Sequence, residues 1–147
     1  MNTLTRHRVV GMRAGQRTHI LAKLSALDPV LLIPEPDNPY DRYAIAVYHA
    51  PASAMTGTVL SSVKDTDRRG HVNATDRDTL MSRHAGYLPR AVAEQHLLPD
   101  AGIVGWVSAV RYPPEEQWVT DDGSIVKRVS MIPAGFDVAS ALDSWER

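Results

Sequence analysis

The sequence predicts a mainly β protein with an α insertion: a small, partly open β-barrel, OB-like or SH3-like, of five or six strands and one or two short helices. Short runs of β-branched and aromatic residues recur along the chain, and prolines and glycines separate them. Few segments have helical spacing. The 147 residues suffice for one domain with its own core, so we expect a single domain over residues 1–147.

The first part of the chain contains three predicted strands and a rigid loop. The strands are Arg6–Met12, Val30–Ile33 and Tyr43–Tyr48, and a helical or irregular connection over Gln16–Leu27 joins the first two. Three prolines close together in the next segment prevent both a helix and regular strand pairing, so Glu35–Asp41 is predicted to be a loop.

A long polar stretch, Ala50–His84, is predicted to be an insertion at the periphery of the fold, with a short helical turn over Asp78–His84. Regular structure resumes at Ala85–Leu88. Pro89 suits the start of a helix, and the apolar spacing that follows predicts a helix over Arg90–Leu98.

The last part of the chain is predicted to hold a long strand, Ile103–Arg111, with Trp118–Thr120 and Ser124–Met131 as its antiparallel partners. Apolar residues three apart predict a C-terminal helix over about 136–146, with Phe136, Ala139, Leu142 and Trp145 on one face. The same patterns predict a core that includes Val10, Leu32, Ile45, Val47, Leu88, Val92 and Val104, and they favour core packing for Trp106.

Composition excludes several classes of function. The 16 basic and 17 acidic side chains give a net charge of -1, which excludes a strongly basic coat for non-specific nucleic-acid binding. The absence of cysteine excludes disulfides, thiol catalysis and thiolate metal centres. No apolar run approaches the roughly 20 residues of a membrane span. We therefore expect a cytoplasmic protein without a membrane partner.

The segment Glu35–Tyr43, EPDNPYDRY, is the strongest candidate for a binding site. Its prolines restrict the backbone, so it presents Asn38, Tyr40, Asp41 and Arg42 at a low entropic cost. An exposed tyrosine offers a face on which a base stacks, and a neighbouring carboxylate accepts hydrogen bonds from a sugar hydroxyl. The same residues also suit a plain turn, in which the tyrosine covers the core.

Three stretches resemble the signature blocks of the HIRAN domain family, in its free-standing bacterial or phage-type form. They are VVGMR at Val9–Arg13, LLIPEPDNPYDRYAIAV at Leu31–Val47 and GYLPRAVAE at Gly86–Glu94. The central block, E-P-x-N-P-Y-D-x-x-A-I-x-V, is the specific one, and the outer two support it by their order and spacing.

The resemblance implies an OB-like barrel that captures single-stranded DNA at a free 3′ end. Tyr40 would stack on the terminal base, and Asp41 would accept a hydrogen bond from the 3′ hydroxyl. Arg13 would contact a phosphate, and Tyr87 with Arg90 would line the opposite lip of the site. These roles agree with the chemistry of the side chains, because arginine offers a fork of donors to phosphate and tyrosine offers a π-face to any base.

The chain departs from the family pattern at Ala14, where DNA-binding members carry an aromatic residue. One half of a two-sided base clamp is therefore missing, unless Tyr112 or Trp106 replaces it. This departure and the near-neutral charge favour an alternative, a protein-interaction module that has lost DNA binding.

Signs of catalysis are weak. The six histidines have no short ligand spacing beside carboxylates, and no hydrolase or phosphate-binding motif is present. A metal-dependent nuclease, the less favoured alternative, would need clustered acids, and the prolines hold Glu35, Asp37 and Asp41 apart. We therefore expect a non-enzymatic module without cofactor or metal site, which binds single-stranded DNA or DNA 3′ ends alone or within a larger DNA-processing assembly.

Overall fold

A computed structural model describes residues 4–11, 19–50 and 81–147 of the chain. The strands in these ranges are β1 (Thr5–Arg8), β2 (Pro29–Pro34), β3 (Ile45–His49), β4 (His84–Tyr87), β5 (Ile103–Arg111), β6 (Glu116–Val119), β7 (Ile125–Arg128) and β8 (Gly135–Ser140). The short helices are α1 (Arg90–Ala93) and two 3-10 turns, Met81–Arg83 and Leu142–Trp145, and residues 19–21 are also helical.

Six of these strands form one antiparallel sheet in the order β1-β8-β5-β2-β3-β4, and its two edges meet at one point. Val10, just beyond β1, bridges to Tyr87 at the end of β4: the Val10 N–H donates to the Tyr87 carbonyl over 2.8 Å, and the Tyr87 N–H donates back over 2.7 Å. The sheet therefore curls into a partly open small β-barrel. The predicted fold class is confirmed.

The core lies on both sides of the central strands. Side chains alternate along a strand, so Val30 and Leu32 of β2 join the larger hydrophobic cluster while Leu31 and Ile33 join the smaller one. The prediction of buried core positions is confirmed for Leu32, Ile45, Val47, Leu88 and Val104.

Two core predictions are wrong, and a third is confirmed only in part, because Val92 on the short helix α1 is half-buried and packs against the larger cluster. Val10 is exposed because its place in the barrel is fixed by backbone pairing at the edge of the sheet. Trp106 is also exposed. In β5 the neighbouring Val107 points into the larger cluster, so Trp106 points the other way.

The predicted C-terminal helix over about 136–146 is wrong. Residues 135–140 form β8, which lies between β1 and β5 at the centre of one half of the sheet, and the 3-10 turn Leu142–Trp145 follows it. Phe136 and Val138 share the larger cluster with a period of two. The apolar spacing of three that predicts a helix runs across two different elements: its first two residues, Phe136 and Ala139, lie in β8, and its last two, Leu142 and Trp145, lie in the 3-10 turn.

Two further predictions need correction. β6 and β7, near the predicted partners of the long strand, pair with each other in a separate two-stranded sheet, and β5 pairs with β2 and β8 instead. The helix predicted over Arg90–Leu98 begins at its expected residue after Pro89 but ends at Ala93, so it has one turn.

The bounds of the long strand, Ile103–Arg111, are confirmed, as is the loop after β2. Most of the predicted insertion, residues 51–80, lies outside the described residues, so its peripheral position stays a prediction. Within the three described ranges, no helix has the length and apolar character needed to cross a membrane.

Candidate functional site

The loop between β2 and β3 is held in one conformation by its own hydrogen bonds. At its base the Glu35 N–H donates to the Ala44 carbonyl over 2.9 Å, which continues the pairing of β2 with β3. Nearer the tip, the Asn38 N–H donates to the Glu35 carbonyl over 3.0 Å, and the Ala44 N–H donates to the Asp41 carbonyl over 3.1 Å. Together with the restricted φ of its prolines, these bonds make the loop a rigid support for its side chains.

Asn38 organises the tip of this loop. Its Oδ1 accepts hydrogen bonds from the backbone N–H groups of Tyr40, over 2.9 Å, and Asp41, over 3.1 Å. Its Nδ2 donates to Glu35 Oε1 over 3.0 Å. Because these groups are engaged inside the loop, the role that the structure gives Asn38 is to position Tyr40 and Asp41.

Tyr40 projects from the loop and is 92% exposed. It lines a groove of about 430 Å³ together with residues 35–39 of the loop and Tyr87 of β4. The ring of Tyr87 packs edge-on against the ring of His84, and the two centroids are 4.9 Å apart. Three of the predicted site residues, Asn38, Tyr40 and Tyr87, therefore line a single groove.

Asp41 and Arg90 form a second pair beside Tyr40. Asp41 Oδ1 accepts a hydrogen bond from the Tyr43 N–H over 2.9 Å. Asp41 Oδ2 lies 4.0 Å from Arg90 Nε, and the side chains are 19% and 76% exposed, respectively. A contact of this length near solvent contributes little to stability. The carboxylate therefore has one oxygen committed to the loop and one that is available to a ligand, with a cation next to it.

Asp41 and Arg90 are not among the residues that line the groove with Tyr40, and neither is Arg42. The Nη2 of Arg42 donates to the Tyr43 hydroxyl over 2.7 Å, and its guanidinium lies 4.8 Å from the centre of the Tyr43 ring. Both residues line a different, smaller pocket, which also contains Arg147. Arg13, the remaining predicted site residue, lies outside the described residues.

Two cations near the groove are absent from the sequence-based prediction. Arg8 and Arg111 line a neighbouring pocket of about 280 Å³ together with Val10 and Gly11, and a Cβ added at Gly11 would lie 3.4 Å from the ring of Tyr87. Arg111 Nη1 lies 3.0 Å from Asp137 Oδ1. Nothing in the sequence indicates this cluster, because it arises from the pairing of β8 with both β1 and β5.

The acidic residues of the loop do not converge on one point. Among the residues that the structure describes, the one group of three possible metal ligands is His96, Asp143 and Glu146, and none of these lines the groove of Tyr40. His96 instead lines the smaller pocket beside Arg42 and Tyr43.

The β6–β7 hairpin exposes a second set of apolar side chains. Trp118, Val119 and Ile125 are all exposed. The hairpin turn is ordered by Asp122, which accepts hydrogen bonds from the Thr120 hydroxyl and from the Ser124 N–H; these bonds lower the pKa of its carboxyl to about 2.

Comparison of the chain with protein-family models, with curated proteins and with solved structures gives no match. The fold and the site together define a small antiparallel β-barrel with a rigid aromatic loop at its open edge. Because one fold serves many functions, the function must be argued from the site.

Proposed function

We propose that this chain is a HIRAN-like, non-enzymatic module that captures single-stranded DNA at a free 3′ end. The observation that carries the proposal is the position of Tyr40, held almost wholly in solvent by a hydrogen-bonded loop and followed by Asp41, which has an available oxygen. A large exposed aromatic ring on a rigid support offers a flat apolar face to a planar ligand, and little conformational entropy is lost when that ligand binds.

Tyr40 stacks on the terminal base in this proposal. Stacking of a base on an aromatic side chain contributes roughly 1–3 kcal/mol and depends little on the sequence of the strand. Because the loop is already ordered, little conformational entropy is lost when the base docks. Tyr87 lines the other part of the same groove, so it supplies a second aromatic contact in place of the residue missing at Ala14.

Tyr112 and Trp106 are less suited to that replacement. Neither is among the residues that line the groove with Tyr40, and Trp106 lies on β5 with its backbone opposite Pro29 and Ala139. We therefore assign the second aromatic contact to Tyr87.

Asp41 selects the end of the strand. An ionised carboxylate repels a phosphate but accepts a hydrogen bond from a hydroxyl, so its presence at a nucleic-acid site favours an end that carries a free 3′ hydroxyl. Arg90, 4.0 Å from it, offsets part of the negative charge and reaches the next phosphate. Arg13 would provide a further phosphate contact.

Fluorescence anisotropy with a 5′-labelled single strand tests the proposal. We expect Tyr40→Ala to weaken binding by roughly 1–3 kcal/mol for strands of any sequence. Trp118→Ala, which removes another exposed aromatic side chain, from the hairpin, is the control and should leave the affinity unchanged. Loss of affinity in the control but not in Tyr40→Ala would exclude the groove as the DNA site.

The exposed hairpin favours a second candidate function, a protein-interaction module. Its neighbours Val129, Met131 and Ile132 are also exposed, so the apolar surface extends beyond the strands. Apolar surface of this kind marks contact sites in proteins that act in assemblies. If the wild-type chain binds no single strand at low salt, this candidate replaces the first.

A further inference from the structure

Three potential metal ligands converge where α1 meets the C-terminal segment. One ligand atom from each of His96, Asp143 and Glu146 lies within 4.8 Å of the other two. Backbone hydrogen bonds fix this approach: the Leu97 N–H donates to the Trp145 carbonyl over 2.8 Å, and the Arg147 N–H donates to the Gln95 carbonyl over 2.9 Å. The three side chains are therefore brought together by the fold itself.

The orientation of His96 is the second observation. Its side chain is only 6% exposed, and its Nδ1 lies 2.7 Å from the carbonyl of Val92, so Nδ1 carries a proton and donates it. In a neutral ring Nε2 then presents a lone pair. Nε2 lies 3.8 Å from Asp143 Oδ1, too far for a hydrogen bond, and it has no hydrogen-bond partner within the described part of the chain.

The two carboxylates beside Nε2 attract a cation, either a proton on Nε2 or a metal ion held by all three side chains. Histidines that bind metals usually have this arrangement, in which one ring nitrogen donates to a backbone carbonyl and the other faces the metal. Among the described residues no arginine or lysine forms an ion pair with Asp143 or Glu146. The neighbouring Arg147 places its guanidinium 4.7 Å from the centre of the Tyr43 ring instead.

We propose that His96, Asp143 and Glu146 bind a divalent transition-metal ion, with zinc as the preferred ion and water in the remaining position. One imidazole and two carboxylates form a nitrogen and oxygen donor set that zinc accepts, at bond lengths of about 2.0–2.2 Å. Ligands of a tetrahedral ion with such bonds lie roughly 3.4 Å apart. Asp143 and Glu146 are exposed, so their side chains can move the short distance needed to close around the ion.

The ion would link the C-terminal segment to the turn that follows α1. None of its three ligands lines the groove at Tyr40, so zinc binding should not depend on nucleic acid. Manganese is expected to bind at the same place more weakly, as the usual order of affinities for divalent ions requires.

Isothermal titration of the chelator-treated protein with zinc chloride tests this site. We expect one tight zinc ion per chain. Removal of a residue that only hydrogen-bonds to a metal ligand, without touching the metal, lowers metal affinity roughly 10–100-fold. Asp143→Asn and Glu146→Gln, which remove ligands, should each weaken binding at least that much. Both side chains are exposed, so the variants are expected to fold, and circular dichroism checks this. Glu115→Gln is the control for loss of an exposed carboxylate elsewhere, and it should bind zinc as the wild type does.

Zinc should also raise the melting temperature of the wild type and of Glu115→Gln, but not that of the two ligand variants, because an ion that binds the folded state alone stabilises it. In NMR spectra the ring resonances of His96 should shift when zinc is added. Absence of zinc binding by the wild type, or equal zinc affinity in all four proteins, would overturn the proposal.

Discussion

The side-chain oxygen of Asn38 accepts a hydrogen bond from the backbone N–H of Tyr40 over 2.9 Å. The same oxygen accepts a second bond from the next N–H, that of Asp41. One asparagine thus sets the direction in which both proposed ligand-binding side chains leave the loop. The rigidity of the site depends on this contact as much as on the prolines around it.

Replacement of Asn38 is expected to loosen the loop. Asn38→Ala leaves two backbone donors without their acceptor, and each hydrogen bond contributes roughly 0.5–1.5 kcal/mol. We expect the free energy of unfolding to fall by about 1–2 kcal/mol in urea titrations. DNA affinity should fall as well, because Tyr40 must then be ordered on binding. Asn38→Asp retains the acceptor oxygen but faces the carboxylate of Glu35, so it is made in a Glu35→Gln background. It should then lower the free energy of unfolding less than Asn38→Ala does in the same background, and an equal loss would show that the acceptor oxygen is unimportant.

Stability is expected to depend on pH through His49 and Asp28. His49 Nε2 lies 2.8 Å from Asp28 Oδ2, and His49 Nδ1 is buried without a hydrogen-bond partner among the described residues. Burial lowers the pKa of His49 below 6.5, and the hydrogen bond and charge of Asp28 oppose this effect only in part. His7, which is half-buried, also has a lowered pKa, chiefly because of burial.

The direction of the pH effect follows from these shifts. Because the folded pKa is lower than the unfolded one, the unfolded chain binds more protons as the pH falls below 6.5. The free energy of unfolding should therefore be highest well above that pH and should decrease as the solution is acidified toward the folded pKa. Urea unfolding between about pH 8 and about pH 5 measures it. Asp28→Asn removes the opposing charge, so the decrease should become steeper; a flat profile in both proteins would contradict the assignment.

Closure of the barrel is expected to depend on Gly86. Its φ is +139°, and a Cβ there would lie 2.5 Å from the carbonyl oxygen of Val10. Gly86→Ala should therefore combine backbone strain with a clash and lower the free energy of unfolding by more than about 3 kcal/mol.

Gly123→Ala is the matched control, because Gly123 also has a positive φ, +86°, but none of the described atoms lies within 4 Å of its Cβ position. It should cost about 1–2 kcal/mol from strain alone. Equal losses would show that contact with Val10 is unimportant.

Arg90 is expected to contribute a phosphate contact that does not distinguish one strand end from another. Arg90→Ala should weaken binding of single strands with either kind of 3′ end and reduce the slope of log affinity against log salt by roughly 0.7. Arg6→Ala, which removes an exposed arginine from β1, is the control for the loss of one positive charge. Equal effects of both variants on the salt slope would mean that Arg90 has no specific contact.

The sequence was most informative where chain geometry is local. Three closely spaced prolines allow little but a loop between β2 and β3, and the apolar residues of 103–107 favour a strand, whose second half is only half-buried. The choice of Tyr40 and Asp41 as candidate binding residues rests on the same local pattern, because both lie in this proline-rich loop. The hydrogen bonds that make Asn38 an organising residue are local as well, since Asn before proline is typical of such turns.

Contacts between distant segments could not be predicted in this way. Phe136 and Leu142 fit a helical spacing and a strand followed by a turn equally well, and only pairing of β8 with its two neighbours decides between them. His96 and Asp143 are far apart in the chain, so no ligand spacing marks them. The exposure of Trp106 likewise depends on which face of β5 the sheet buries.

Selection of a free 3′ hydroxyl by Asp41 is the central claim, and a paired titration tests it most directly. Single strands that end in a 3′ hydroxyl or a 3′ phosphate are titrated with the wild type, with Asp41→Asn and with Asp121→Asn, which makes the same charge change at an exposed residue of the β6–β7 hairpin. The amide of Asp41→Asn retains an oxygen for the Tyr43 N–H, so the loop should persist. We expect the wild type and Asp121→Asn to prefer the hydroxyl end and Asp41→Asn to bind both ends alike. A wild type without preference, or a preference that survives in Asp41→Asn, would contradict the claim.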